Sequence, residues 1–171
     1  MDNGVGSMKR ETYEKMMNTV ESSEVMLNSV LMVNKALTRL SYIIYPIFLL
    51  FIAVKKEPEL IKAVLVPAIS FIIVSIFRYL CCSPRPYEVF DIPPLIKKDT
   101  RGKSFPSRHV FSAVIIAVTV YYYYPLPGII LGILSLMLAA VRVIGGVHFT
   151  KDVVAGIFMG VCFGIIGFYV I

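Results

Sequence analysis

The sequence predicts an all-α fold: a polytopic transmembrane helical bundle of about five spans, preceded by an N-terminal amphipathic helix. Three observations carry this. Apolar residue classes make up 57% of the 171 residues, and charged residues only 16%. The charges are clustered, leaving several mostly apolar windows of about 18 residues or more, the length a helix needs to cross ~30 Å of hydrocarbon. Short polar stretches bearing proline or glycine separate those windows.

Residues 1–37 read as a tail and amphipathic helix, and residues 38–171 as the membrane domain. The first seven residues, MDNGVGS, precede a second methionine, Met8, and no cleavable signal pattern is visible. From residue 9 to 37, Met16, Met17, Val20, Leu27 and Val30 recur at roughly helical spacing. Glu21 and Glu24 oppose a span here, because a charge at mid-bilayer costs about 3 kcal/mol on insertion scales. This helix is therefore expected either at the interface or packed on the bundle. Span one is placed at 38–54, with Pro46 inside, and KKEPE (55–59) forms a turn. Span two covers 60–80 around Pro67, and a polar, proline-rich loop follows from Ser83 to Ser104. Span three runs from 107 to 124 and ends in Tyr121 to Tyr124, read as an interfacial aromatic belt. Span four covers 127–143, Gly145 and Gly146 break the chain, and span five begins near 150. Gly156, Gly160 and Gly164 form a smooth stripe on span five, suited to close helix packing.

The net charge is +6, from 17 basic and 11 acidic residues. In a membrane protein this points to anionic headgroups or an anionic substrate. No basic stripe lies on a soluble element, so nucleic acid is not expected as a partner. Cys81, Cys82 and Cys162 have no metal-ligand spacing, and no metal or other cofactor is expected.

Five spans dictate which ends lie together. Span two ends, span three begins, span four ends and span five begins on one side. Those ends carry Arg78 and Arg85; Ser107, Arg108 and His109; Arg142; and His148 with Asp152. Topology alone thus gathers four arginines, both histidines of the chain, a serine and an aspartate at one membrane face. Taken singly, an arginine at a span end is an ordinary headgroup anchor, and His148 with Asp152 could be a plain helix-start pair. Their convergence is what argues for a site. Guanidiniums at one locus repel unless an anion joins them, and arginine forks match phosphate oxygens. Pro106 suits a helix start, whose free N–H groups would face the same anion. His148 and Asp152, four apart, share a helix face, so the carboxylate can orient the imidazole as a nucleophile or base. His109 lacks such a partner and suits a general acid. Lys97, Lys98, Arg101 and Lys103 read mainly as headgroup contacts.

These residues form a set: Arg78-x6-Arg85-Pro86, Pro106-Ser107-Arg108-His109 and Arg142-x5-His148-x3-Asp152. The set resembles the three-part signature of the type 2 phosphatidic acid phosphatase family, K-x6-R-P, P-S-G-H and S-R-x5-H-x3-D. That family shares its site with vanadium haloperoxidases and bacterial acid phosphatases. The resemblance covers about residues 60–165. It implies a metal-free helical bundle and a phosphohistidine on His148, with His109 as acid and Asp152 orienting His148. Arg78, Arg85, Ser107 and Arg142 would hold phosphate. Three positions depart: Arg78 replaces lysine, Val141 replaces serine, and Arg108 replaces glycine. Arg108 is expected to reach a second phosphate or a headgroup.

The substrate implied is an amphiphile, with undecaprenyl diphosphate, phosphatidate and phosphatidylglycerol phosphate as candidates. The alternative is a protein that binds or transports an anionic lipid without chemistry. Lys97, Lys98, Arg101, Lys103 and Lys151 on the site side outnumber Lys55, Lys56 and Lys62 opposite, which by the positive-inside rule favours a cytoplasmic site. The resemblance implies the reverse, a bacterial cell-membrane protein with its site outward.

Overall fold

A computed structural model describes residues 8–98 and 100–171. The expected tail, residues 1–7, lies outside the described residues. The described chain forms α1 (Arg10–Glu21), α2 (Glu24–Val54), α3 (Leu60–Cys81), the short α4 (Pro86–Phe90), α5 (Arg108–Tyr123), α6 (Pro125–Ile144) and α7 (Thr150–Ile165). A π-helical turn, Ile166–Val170, continues α7. Among the described residues, four helical stretches are long and apolar enough to cross a bilayer, lying in α2, α3, α6 and α7 with its closing turn. Only 17–28% of their most apolar windows is buried, so these surfaces are apolar without being core. Ile47, Leu50, Ile61, Leu80, Ile133 and Phe158 are all exposed and face the hydrocarbon of a bilayer. This is an integral membrane protein.

The fifth rod, α5, is shorter at 16 residues and spans about 24 Å at 1.5 Å per residue. It is the centre of the bundle, packed chiefly on α6 and α7. Val110, Phe111, Val114, Ile115 and Ala117 are buried on it. The glycine stripe of α7 makes the α5 contact possible. A Cβ at Gly156 would stand 2.8 Å from the Ser107 carbonyl, and one at Gly160 would stand 2.8 Å from Val114 Cγ1. In lipid, where apolar burial gives no drive, such close packing is a main source of helix association.

The amino-terminal elements differ from the expectation. The helix expected over 9–37 breaks at Ser22–Ser23, and the 24–37 stretch runs unbroken into span one. Ser23 starts the new helix by accepting a hydrogen bond from Met26 N–H at 3.4 Å. No comparable breaker lies near residue 37. At 31 residues, α2 is about 46 Å long, so one end stands in the headgroup layer. Its N-terminal part carries the charges of Glu24 and Lys35. α1 packs on the bundle rather than lying apart from it. Tyr13, Met17 and Val20 form its buried face, and the Tyr13 ring packs at a tilt against Phe90 at 5.2 Å.

On the face opposite the charged cluster, the tyrosines do more than mark an interface. Tyr122 donates to Glu59 Oε2 at 2.5 Å, Tyr123 to the Glu59 carbonyl at 2.6 Å, and Tyr124 to Glu57 Oε1 at 3.2 Å. They tie the end of α5 to the α2–α3 turn. Only Tyr121 of the four is exposed.

Candidate active site

Helix ends on the other face bring the expected residues together. α3 ends with Arg78, α4 is capped by Arg85, α5 begins after Ser107, α6 ends with Arg142, and α7 begins just after His148. Arg78, Arg85, Ser107, Arg142, His148 and Asp152 are all buried. Arg108 is exposed and His109 half-buried at the first turn of α5.

The Gly145–Phe149 turn that presents His148 needs glycine at Gly146 for its backbone conformation as well as for space. Gly146 has φ +76°, and a Cβ there would meet Tyr13 Oη at 2.6 Å and Met17 Sδ at 2.9 Å. Tyr13 hydroxyl donates to the Gly146 carbonyl at 3.2 Å and lies 3.4 Å from the Ile92 carbonyl. α1 therefore clamps the turn two residues before His148.

Asp152 Oδ2 faces His148 Nδ1 at 3.5 Å. It also accepts the Phe149 N–H at 2.9 Å, so Asp152 both caps α7 and faces the imidazole. Ser104 Oγ donates to the same oxygen and stands 3.4 Å from His148 Nδ1. A carboxylate on Nδ1 favours the tautomer with Nε2 unprotonated. Burial pushes His148 down to about 4, against the opposing hydrogen bond to Asp152, with the charges of Arg85 and Arg78 adding to the fall. His148 is thus a neutral imidazole at neutral pH. The Asp152 carbonyl accepts the Ser107 N–H at 2.8 Å, locking the start of α5 to the start of α7.

The arginines differ in what they hold. Arg78 donates to the carbonyls of Lys103, of Ser104 at 3.2 Å and of Pro106 at 2.5 Å. Arg85 donates to the Val147 carbonyl at 2.9 Å and the Lys103 carbonyl at 3.2 Å. Both shape the loops that carry Ser104, Ser107 and His148. Arg142 donates to Thr38 Oγ1 at 3.1 Å. Arg85 Nε, Arg142 Nε, Ser107 Oγ and Asp152 Oδ1 are buried without a hydrogen-bond partner, four of six such side-chain atoms among the described residues. A buried polar group left unpaired costs about 1–3 kcal/mol. Three of these four atoms are donors, so the protein holds unused donor capacity here.

His109 lies within the field of Arg142, Lys98, His148 and Arg108. With Arg108 it lines a cavity of about 110 Å³ floored by Phe71, Ile116 and Leu138. The Arg108 guanidinium sits over the Phe71 ring at 5.5 Å. The cavity shares Ser41, Tyr42, Phe71, Ser112 and Ile116 with an apolar groove of about 490 Å³ between α2, α3 and α5.

Residues 59–171 match the PAP2 superfamily. The chain belongs to the PAP2 superfamily. No curated protein matches it in sequence. Among solved structures, it is similar to LpxE of Aquifex aeolicus, with a TM-score of 0.72 and 22% identity over 92% of each chain. It is also similar to a transmembrane PAP2-type phosphatidylglycerolphosphate phosphatase from Bacillus subtilis. There the TM-score is 0.60 and identity 19%, over 91% of this chain and 90% of that one. At these identities the likeness concerns the fold, here an all-helical membrane PAP2 bundle.

Sequence reasoning on this PAP2 chain missed Ser104 and Thr38. Ser104 lies in SFPSRH, three residues before the serine that the signature marks, and nothing in its sequence neighbourhood announces a contact with Asp152. Thr38 is 104 positions from Arg142, beyond the reach of any local pattern.

Proposed function

We propose that this PAP2 protein is a metal-independent lipid phosphatase that hydrolyses a phosphomonoester or diphosphate through a phosphohistidine on His148. The observation that carries the reading is the set of buried, unpartnered donors, Arg85 Nε, Arg142 Nε and Ser107 Oγ, at the helix ends on the same face as a neutral imidazole. Phosphate oxygens would satisfy them, and fixed donors aimed at developing charge are usually the largest catalytic term. His148 Nε2 attacks phosphorus, the bond from phosphorus to the lipid oxygen breaks, and His109 protonates that oxygen. Water, losing a proton to His109, then attacks phosphorus; the P–N bond breaks and inorganic phosphate leaves. Asp152 holds the imidazole, and Ser104 and the Phe149 N–H hold Asp152. Arg78 acts mainly through the 103–106 loop. Among the described residues, no three His, Cys, Asp or Glu side chains gather in a way that could bind a metal ion.

The cavity and groove support a lipid substrate. The leaving oxygen belongs beside His109, and the apolar groove opens from the same cavity. Arg108, at the mouth of that cavity, would take a second phosphate or a headgroup on the leaving side. Purified protein in detergent, with chelator present, is expected to release phosphate from at least one of undecaprenyl diphosphate, phosphatidate and phosphatidylglycerol phosphate. Arg108→Gly is expected to lower the ratio of diphosphate to monophosphate turnover. No release from a folded sample on any of the three would favour binding without chemistry. An unchanged ratio would remove Arg108 from the reading.

Ser104→Ala is expected to cut kcat by about 10-fold to 100-fold with little change in KM, the scale seen when a supporting hydrogen bond to a working histidine is lost. Because Ser104 would steady Asp152 rather than touch substrate, Ser104→Thr should restore part of kcat. A rise in KM with kcat intact would place Ser104 on the substrate instead.

A further inference from the structure

α1 lies outside the family match at residues 59–171, yet it reaches the turn that carries His148. The helix is two-sided. Arg10, Glu11, Glu14 and Lys15 are exposed, whereas Tyr13, Met17 and Val20 are buried. Aliphatic side chains would suffice to anchor such a helix. Tyr13 instead buries a hydroxyl, at 0% exposure, which is unfavourable unless that hydroxyl is hydrogen-bonded. Its partners are backbone carbonyls, Gly146 at 3.2 Å and Ile92 at 3.4 Å. Burial, and then the charge of Tyr87, push Tyr13 up to about 12, so the hydroxyl keeps its proton and stays a donor.

The turn is held residue by residue from separate segments. The Gly145 carbonyl accepts the Ile96 N–H at 3.2 Å, the Gly146 carbonyl accepts Tyr13, and the Val147 carbonyl accepts Arg85 at 2.9 Å. Phe149 N–H donates to Asp152 at 2.9 Å. Gly146 is the weak point of this set. Glycine populates positive and negative φ about equally, so its φ of +76° is fixed by contacts rather than by its own preference. Rotation of the Gly146–Val147 peptide would swing His148 away from Asp152, which is anchored on α7. The Tyr13 hydroxyl bonds the carbonyl of that very peptide. The Tyr13 ring adds a second hold, since it packs on Phe90 at 5.2 Å, and Phe90 meets Phe149 edge-on at 5.9 Å. Contacts that begin at Tyr13 therefore end two residues before His148 and one residue after it.

We propose that Tyr13 is a positioning residue for His148: its hydroxyl fixes the Gly146–Val147 peptide, and through it the line along which His148 Nε2 meets phosphorus. The proposal rests on the phosphatase reading, but half of its test needs no turnover. Full-length wild type, Tyr13→Phe and Met17→Leu are compared in detergent. Tyr13→Phe removes one oxygen and leaves the ring on Phe90. Met17 touches the same glycine, so Met17→Leu keeps α1 packed on the turn with the hydroxyl in place. Each protein, in saturating excess, is mixed with an aryl phosphate, and the first-order rate constant of phenol release is read. That constant does not depend on the fraction of protein that is folded, so a merely structural loss would not move it. In parallel, each substitution is placed in His109→Gln protein, whose single imidazole is His148, and the ring resonances are recorded by NMR. Tyr13→Phe is expected to lower the rate constant about tenfold, part of the ~100-fold that a misplacement of ~1 Å costs, and to shift the His148 resonances. Met17→Leu should leave both close to wild type. The proposal is overturned if Tyr13→Phe keeps the wild-type rate constant, if Met17→Leu loses as much, or if the His148 resonances stay in place. A protein that releases no phenol, but whose His148 resonances move in Tyr13→Phe and not in Met17→Leu, would keep the positioning role and sink the phosphatase.

Discussion

His148→Ala is expected to lower lipid-phosphate hydrolysis by at least about 10⁴-fold, the scale on which removal of a catalytic nucleophile is felt. The reason is that no other described side chain is placed to replace it. His148 is buried, its Nδ1 faces Asp152 and Ser104, and Arg85, on the adjacent Val147 carbonyl, stays protonated. Wild-type enzyme quenched during turnover of ³²P-labelled substrate should carry acid-labile, base-stable label on His148, absent in the mutant. The mutant must also melt like wild type, since His148 packs in a turn clamped by Tyr13. Substantial hydrolysis by a folded His148→Ala enzyme would refute the phosphohistidine. The pH dependence has a definite sign. Burial lowers His148 to about 4, so its reactive neutral form persists as pH falls below the ordinary histidine value of ~6.5. The unfolded chain takes up that proton first, so the same shift stabilises the fold above pH ~6.5, a contribution lost as pH falls toward the folded value. With His109→Gln leaving a single imidazole, an NMR titration of free protein should show His148 neutral at pH 6. A midpoint near 6.5 would contradict it.

His109→Ala should produce the second large loss, about 10²–10⁴-fold on a lipid phosphate, the range for general acid–base assistance. Its position supports the acid role. It lines the cavity that opens into the apolar groove, where the leaving alcohol of a lipid would lie. It makes no hydrogen bond to another described residue, so its nitrogens are free for substrate. An aryl phosphate separates this role from simple structural support. Its leaving oxygen needs no proton, so the first step should survive the mutation. Water still lacks its base in the second step. His109→Ala should therefore release a burst of about one phenol per enzyme and then stall as the phosphoenzyme. Equal loss on lipid and aryl phosphate, with no burst, would give His109 a structural role only.

The bundle and most of the candidate site were legible because their signals are local or topological. Apolar windows of bilayer length read as spans whatever surrounds them, and alternating span direction is enough to bring Arg78, Arg85, Ser107–His109, Arg142 and His148 with Asp152 to one face. The spacing of His148 and Asp152 reports a shared helix face, and the glycine stripe on α7 reports a close neighbour. The break at Ser22–Ser23 was missed because a capping serine amid other polar residues looks like any surface serine. The tyrosine run reads as an interfacial belt, since a hydroxyl bond to Glu59 across 63 positions leaves no periodic trace.

What the sequence determined by itself was thus the membrane class, the gathering of charge at one face, and the PAP2-like order of the site. The tertiary structure decided how those residues divide the work. It turned Arg78 to loop carbonyls, left Arg85 Nε and Arg142 Nε without partners, and brought Ser104 onto Asp152. The physical reason is that helical period and bilayer thickness assign each residue a depth and a side. Which donor meets which acceptor depends on angstrom-scale approaches between segments distant in the chain. Those are set by packing, such as Gly156 against the Ser107 carbonyl and Tyr13 against Gly146.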